Sequence, residues 1–355
     1  MTESLISQFT QFPVWGLLVV IFVCLAILGK GADLLVAEAV TLSLRWGIPS
    51  VVVGATIVSL GTTLPEAAVS VMGAIQGNPE LALGNAVGSI IADTGLILGL
   101  AAILAPLPLR KSVVNRQGWI QVGSGLLLVA ACFPWGSPGR VFTSGSEGGG
   151  VLPQWMGWVF LLLLIVYITM SIRWSRGAAG EEAVALAEGE SGVHVDERAN
   201  NLMVFSKLLL GIGLVVGTSQ ILIPAVEVTA LKVGVPEAII AATLVALGTS
   251  LPELVTAITA VRKNHGELAV GNVIGADILN VLFVAGAAAA VTPTGLYAGK
   301  HFFVFLFPAM LLLLVTFRIG IWVNKTHLTR SFGFLLLAIY LGVTAVSYLL
   351  GVGMH

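Results

Sequence analysis

One eleven-residue motif occurs twice in this chain, and the two copies are separated by a constant offset of 187 residues. The first copy is TIVSLGTTLPE at 56–66, and the second is TLVALGTSLPE at 243–253. With no gap, the same offset aligns ELALGNAVG at 80–88 with ELAVGNVIG at 267–275. Chance identity does not keep one register over such a span, so the chain is an internal duplication of one structural unit.

Both copies lie in apolar sequence that is long enough to cross a membrane, which takes roughly 20 residues per helix. Charged residues make up only 10% of the 355 residues, against about 25% in soluble domains, which excludes a soluble globule. We predict an all-α polytopic membrane protein with ten transmembrane helices in a lipid bilayer. The formal net charge of -1 gives no basis for binding nucleic acid. The predicted segments are 13–46, 49–76, 79–105, 116–134, 151–173, 203–232, 235–262, 266–291, 301–321 and 331–350.

One long polar stretch divides these segments into five and five. It contains six Asp and Glu residues and has no apolar period, so it is predicted to be a solvated linker. The predicted organisation is a first five-helix repeat at 1–173, an acidic linker at 174–201 and a second five-helix repeat at 202–355. Because five is odd, the second repeat enters from the opposite side of the membrane. Inverted repeats of this kind are common in secondary transporters, which bind their substrates near the midplane.

The basic residues predict the orientation of the chain. Thirteen Lys and Arg residues fall in one set of loops and three in the opposite set. Since positive charge concentrates on the cytoplasmic side, the linker is predicted to be cytoplasmic and both termini to lie outside.

Two acids, Glu66 and Glu253, lie in the middle of these apolar segments. Such a residue costs roughly 2.5 to 3.5 kcal/mol at the centre of a bilayer and is by default a functional candidate. Each follows a proline, which cannot donate a hydrogen bond to the carbonyl four residues earlier. A carbonyl left unpaired at this depth is tolerated where it lines protein or a wet cavity.

Hydroxyl residues precede each glutamate by three and four positions, on the same helix face. They are Thr62 and Thr63 in the first copy and Thr249 and Ser250 in the second. Carboxylates, hydroxyls and carbonyls from both copies would form an all-oxygen cage, which suits hard cations such as calcium. The same segments lack sulfur and imidazole, which disfavours zinc or copper.

The next helix of each repeat adds a polar stripe at helical spacing. It consists of Asn85, Ser89 and Asp93 in the first repeat and of Asn272, Ala276 and Asn280 in the second. Asp93 is a further intramembrane acid and joins the predicted site. Asp277 lies one residue off the stripe, so packing, gating and coordination all stay open for it. The glycines beside the stripe allow close helix approach.

The two Gly-Thr-Thr/Ser-Leu-Pro-Glu motifs, each followed by Gly-Asn-x-x-Gly, resemble the two alpha-repeats of the cation/calcium exchanger superfamily, in particular its prokaryotic sodium/calcium exchangers. The resemblance implies that Glu66 and Glu253 bridge calcium, helped by the backbone carbonyls of Thr62 and Thr249. It also implies a location in the prokaryotic inner (plasma) membrane. It further implies flanking sodium sites and a paired Asn and Asp on the third and eighth helices. The implied sodium-site residues are Thr63, Ser250, Ser89, Ser59 and Ala246, and the implied pair is Asp93 with Asn280.

Two positions depart from the family pattern. The acid of the pair is Asp93 on the first repeat, whereas some members carry it on the second. Ala276 stands where a serine would be usual, so one hydroxyl of a sodium site is missing. Sodium affinity or the coupling ratio could differ accordingly.

The predicted function is a secondary antiporter that exchanges sodium for calcium by alternating access, with the two ions as its substrates. It is not predicted to be an enzyme or to use a cofactor, and a monomer is expected. A proton/calcium exchanger and a potassium-dependent sodium/calcium exchanger stay open as alternatives. A cation channel is a remote alternative because inverted repeats favour a transporter. An intramembrane aspartyl protease would need a Gly-x-Gly-Asp motif, which the sequence lacks.

Overall fold

The computed structural model describes residues 2–143, 148–175, 200–233, 248–324 and 326–349, and long helices account for most of them. The helices of the first half are α1 (Thr2–Phe9), α2 (Val14–Trp46), α3 (Ser50–Thr62), α4 (Leu64–Ile75), α5 (Pro79–Leu104), α6 (Lys111–Cys132) and α7 (Gln154–Ser175). Those of the second half are α8 (Asn201–Lys232), α9 (Leu251–Arg262), α10 (Gly266–Ala290), α11 (Phe302–Val323) and α12 (Arg330–Leu349).

Each predicted segment overlaps a helix, although the structure describes the segment at 235–262 only from residue 248 onward. Seven of the described helices are long and apolar enough to cross a membrane, and α3 with α4 forms an eighth, bent span. Helix α6 is not among them, because its first half carries Arg116, Gln117 and Gln121. Helix α1 had no counterpart in the prediction, and its Phe9 packs with Leu17, Ala225 and Val228.

Two short antiparallel sheets connect loops of the two halves. Strand β1 (Leu107–Pro108), which follows α5, pairs with β4 (His327–Leu328), which follows α11. Strand β2 (Gly150–Leu152), which follows α6, pairs with β3 (Leu296–Ala298), which follows α10. The start of α10, at Gly266, faces Pro108 in the strand that follows α5. The start of α5, at Glu80, faces Gly299 just after the strand that follows α10. These two repeat-related helices therefore run in opposite directions.

Two contacts between an acid and a basic residue join the halves near these loops. Arg110 Nε lies 3.0 Å from Glu267 Oε1, and His301 Nδ1 lies 3.6 Å from Glu80 Oε1. Glu80 and Glu267 are related by the 187-residue offset. Each repeat thus places the acid at the start of an equivalent helix against a basic residue of the other repeat.

The two longest helices, α2 and α8, pack directly on each other. Gly31 of α2 faces Leu214, and Gly211 of α8 faces Leu35. A Cβ atom at either glycine would come within 2.8 Å of the opposite helix, so the two backbones lie too close for a larger residue.

Helices α3 and α10 are in backbone contact beside the repeated motif. A Cβ atom at Gly271 would lie 2.8 Å from Val51 Cα, and one at Gly275 would lie 2.5 Å from Ala55 Cα. On α3, Gly54 faces the backbone of α10 in the same way. These glycines bring α3 and α10 together, as small residues do in membrane proteins.

Candidate cation-binding site

In both copies of the motif a new helix begins at the leucine before the proline. Helix α3 ends at Thr62 and α4 begins at Leu64, with a bend of 44° between them. Thr63 stands at the break with φ -81° and ψ 1°. Its repeat mate Ser250, with φ -84° and ψ 7°, precedes α9. The proline therefore occupies the first turn of a new helix in each copy, where its missing N–H is no loss.

Each glutamate follows that proline in the first turn of its new helix. The free N–H groups there favour a negative charge. Glu66, Glu253 and Asp93 are each only 1% exposed. Among the described residues, both carboxylate oxygens of Glu66, Oε2 of Glu253 and Oδ1 of Asp93 have no hydrogen-bond partner. Buried oxygens of this kind require a positively charged ligand or a proton.

Two contacts join the repeats at these acids. Thr63 Oγ1 of the first repeat donates a hydrogen bond to Glu253 Oε1 of the second, at 3.3 Å. Asn280 Nδ2 donates to Asp93 Oδ2, also at 3.3 Å. Asp93 and Asn280 are related by the 187-residue offset, and a residue can touch its own repeat mate only beside the symmetry axis. The buried acids thus lie where the two repeats meet.

Two asparagines of the stripe hold the hydroxyl residues from the opposite repeat. Thr249 Oγ1 lies 3.5 Å from Asn85 Oδ1, and Thr62 Oγ1 lies 3.5 Å from Asn272 Oδ1. The offset relates these two contacts to each other. Asn85 Nδ2 also donates to the backbone carbonyl of Glu66, at 3.3 Å. Asn85 and Asn272 were noted only as part of a stripe, yet they position the predicted ligands.

The helices that carry the stripe widen at the site. A π-helical stretch runs from Asp93 to Ile97 in α5, and another runs from Asn280 to Ala285 in α10. Both begin at the paired residues. Short π-helical stretches inside α-helices are frequent at functional sites because they loosen the backbone hydrogen bonding.

The remaining predicted residues are placed less directly. Ser89 is buried on α5, one turn before Asp93. Ser59 is buried on α3, where its hydroxyl donates to the carbonyl of Thr56 at 3.4 Å. Ala246 lies outside the described residues. In the described part of the chain, no three His, Cys, Asp or Glu side chains come close enough to share one metal ion. The three acids therefore belong to one polar cluster, but their side chains do not all converge on one ion position.

Asp277 lies beside this cluster with a separate set of partners. It is 1% exposed, and its Oδ2 accepts hydrogen bonds from the hydroxyl of Thr94 and from Gln121 Nε2. Gln121 belongs to α6 and was not identified from the sequence. The only available signal was a glutamine at membrane depth.

Two acids of α2 outside the cluster pair with lysines of the second half. Asp33 of α2 lies 2.9 Å from the amine of Lys263, and Glu38 lies 3.7 Å from that of Lys207. Both carboxylates therefore face lysines rather than the buried acids.

Comparison with known proteins gives a consistent result over nearly the whole chain. Residues 16–173 and 203–349 match the family model described as sodium/calcium exchanger protein. The chain is 31% identical to the inner membrane protein YrbG of Escherichia coli strain K12 over 335 residues, which cover 92% of this chain and 93% of that protein. It is 28% identical to the sodium/calcium exchanger MaX1 of Methanosarcina acetivorans over 296 residues, covering 79% and 84%.

The fold also matches a solved structure. The sodium-calcium exchanger NCX_Mj, soaked with zero Na⁺ and Ca²⁺, superposes with a TM-score of 0.75 at 22% identity. The match covers 94% of this chain and 99% of that chain. At this level of identity, the likeness concerns the fold.

Proposed function

The chain belongs to the sodium/calcium exchanger family, and on that premise we propose that it exchanges sodium for calcium across a prokaryotic inner membrane. The transport site is the cluster around Glu66, Glu253 and Asp93, between the two repeats. The sodium/calcium exchanger MaX1, one of the relatives, carries this activity in its name. The ions are the substrates, and the proposed mechanism uses no cofactor.

The observation that carries this proposal is the pair of contacts across the repeats at buried acids. Thr63 reaches Glu253, and Asp93 meets its own repeat mate Asn280. Neither half contains a complete site, so a relative movement of the halves would remake the set of ligands. Alternating access requires this coupling between ion binding and protein conformation.

The chemistry of the ligands fits both ions. Carboxylate, hydroxyl and carbonyl oxygens are the donors that calcium takes, six to eight at a time. We propose that Glu66 and Glu253 bind calcium with the carbonyls of Thr62 and Thr249. The proposed sodium ligands are Thr63, Ser250, Ser89, Asp93 and Asn280, with backbone oxygens near Ser59 and Ala246.

Charge explains why the two ions compete. One calcium ion balances two carboxylates, so Asp93 holds a proton while calcium is bound, because an uncompensated charge is unfavourable in the membrane interior. Several sodium ions otherwise fill the site. Since the same cluster and its three carboxylates must accommodate either cation, calcium and sodium cannot fill the site together. This mutual exclusion produces exchange.

We also propose ten crossings in two inverted five-helix repeats, 1–173 and 202–355, joined by a cytoplasmic linker at 174–201. The opposite directions of α5 and α10 and the paired loops support the inversion. The family match omits residues 174–202, in agreement with a linker there. Both termini would then lie outside. One chain supplies both halves of the site, so the transporting unit is a monomer.

In this proposal α2 and α8 move together against the core that holds the site. They pack on each other through Gly31 and Gly211, and α8 also contacts the motif where Ile212 lies against Gly61. A shift of this pair would open the site to one side and then to the other.

Calcium-45 uptake into proteoliposomes tests the proposal, with sodium, proton and potassium gradients imposed one at a time. Uptake should follow an outward sodium gradient without potassium on either side. Uptake that follows only a proton gradient would identify a proton/calcium exchanger, and a requirement for potassium would identify a potassium-dependent one. Flux without any counter-ion would indicate a channel.

A further inference from the structure

Asp277 is a buried acid that the proposed exchange does not use. It lies on α10 one turn before Asn280, with Gln121 Nε2 at 2.5 Å from its Oδ2 and the Thr94 hydroxyl on the same oxygen. Its Oδ1 is buried and, among the described residues, has no hydrogen-bond partner. Gln121 is 1% exposed and Thr94 is fully buried.

No base balances this carboxyl group. In the part of the chain that the structure describes, its hydrogen-bond donors are neutral and no Lys, Arg or His forms an ion pair with it. A buried charge that lacks a partner costs several kcal/mol in a low-dielectric interior. The group must therefore be neutralised by a proton or by a mobile cation.

The charged surroundings favour the proton. Asp93 repels Asp277 when both are ionised. Two other ionisable residues lie on helices that pack on α10. Arg116 of α6 is exposed and stacks on Trp174. Tyr167 of α7 is buried near Gln117. Helix α3 carries no ionisable residue, and Glu80 and Arg262 are exposed. The buried acids on the surrounding helices are Glu66 on α4, Asp93 on α5 and Glu253 on α9.

A line of polar residues leads from Asp277 along α6 toward the start of that helix. Gln117 lies one turn before Gln121 on the same buried face. Its Nε2 donates to Ser171 Oγ at 3.1 Å, and the Tyr167 hydroxyl lies 3.0 Å from its Oε1. Polar residues buried at membrane depth commonly mark ion pathways and proton relays.

We propose that Asp277, Thr94 and Gln121 form a proton-binding site beside the cation site, from which a proton leaves when cations occupy the cation site. This inference rests on the proposed exchange function and adds the proton as a third ion. A cation near Asp93 cancels the repulsion between the two acids. The donors from Thr94 and Gln121 then stabilise the ionised carboxylate. The O–H bond of Asp277 breaks, and the proton passes to the aqueous phase.

Proton release on cation binding tests the proposal. The purified full-length protein is placed in weakly buffered detergent solution, and saturating sodium chloride is added with a pH indicator present. Choline chloride serves as the blank. The wild type should release about one proton more per chain than Asp277→Asn, which keeps the size of the side chain. The control is Glu227→Gln, because Glu227 is a half-buried acid on α8 outside both sites. This variant should release as many protons as the wild type.

Equal proton release from the wild type and Asp277→Asn would overturn the proposal. Should Asp277→Asn fail to fold, Thr94→Val removes one donor to the ionised form. The pH at which sodium releases the proton should then move upward, and an unchanged pH would overturn the proposal equally. Calcium-45 uptake separates the two claims. If the protein exchanges sodium for calcium but its proton release does not depend on Asp277, this inference alone is refuted. If proton release depends on Asp277 but no exchange occurs, the proposed function alone is refuted.

Discussion

At the scale of single residues, Glu253 should be indispensable for transport. We expect Glu253→Gln to abolish sodium-driven calcium-45 uptake, a loss of at least about 100-fold, because it removes a charge that no neighbouring acid replaces. The side chain keeps its volume and can still accept a hydrogen bond from Thr63. The variant should therefore insert and remain monodisperse in size-exclusion chromatography.

The matched control is Glu227→Gln, the same exchange on α8 and outside the cluster. It should transport at the wild-type rate. Normal uptake by Glu253→Gln, or equal losses in both variants, would remove Glu253 from the proposed site.

The identities of the buried acids could be predicted from the sequence, but their partners could not. Helical spacing predicts which side chains share a face of one helix. The contact of Thr63 with Glu253 joins residues 190 positions apart and depends on how separate helices pack. Asp277 shows the same limit, because its partners Thr94 and Gln121 lie on two other helices.

At the scale of helices, the contact between α3 and α10 should tolerate no added methyl group. We expect Gly271→Ala to destabilise the protein by roughly 3 kcal/mol or more, at the upper end of overpacking effects, because backbone rather than a flexible side chain lies in the way. Val51 Cα would be 2.8 Å from the new Cβ atom. The thermal unfolding midpoint in detergent measures the effect.

Gly213→Ala on α8 is the control, since a Cβ atom there would have no atom within 4 Å apart from its chain neighbours and the adjoining backbone of its own helix. Alanine is the better helix former by about 1 kcal/mol, so this variant should be as stable as the wild type or more so. If the two variants unfolded at the same temperature, close packing at Gly271 would be refuted.

Helix breaks and helix packing differ in how far the sequence reveals them. Pro65 and Pro252 predict a disturbed backbone, and in the structure a helix begins one residue before each, with a bend of 44° from the preceding helix at Pro65. The π-helical turns at Asp93 and Asn280 have no sequence signature, because local composition does not specify an extra residue per turn. Strands β1 to β4 are two or three residues long, too short for an alternating pattern.

At the scale of the whole molecule, equivalent positions in the two repeats carry different chemistry. Glu267 pairs with Arg110, which keeps its charge at any physiological pH, whereas Glu80 pairs with His301. The cation site shows a comparable difference, with Asp93 opposite Asn280. Positions related by the 187-residue offset therefore differ in charge.

This asymmetry makes stability depend on pH through His301. Burial lowers the pKa of His301 below its usual value, and the nearby Glu80 carboxylate partly opposes that shift. The unfolded chain then binds more protons than the folded one as the pH falls through about 6.5, so acidification favours unfolding. We expect His301→Gln to raise the thermal unfolding midpoint relative to the wild type by more at pH 5.5 than at pH 7.5.

Glu80→Gln should act in the opposite direction. Without the carboxylate, the pKa of His301 decreases further, so the midpoint should fall more steeply with acidification than in the wild type. Burial and the nearby Lys263 also lower the pKa of His265, so His301→Gln should leave a residual pH dependence that His265→Gln reduces further. Desolvation lowers the pKa of His301, and the Glu80 carboxylate raises it. His301→Gln and Glu80→Gln should therefore change the pH dependence of the unfolding midpoint in opposite directions. A change in the same direction in both variants would exclude His301 as the source of that dependence.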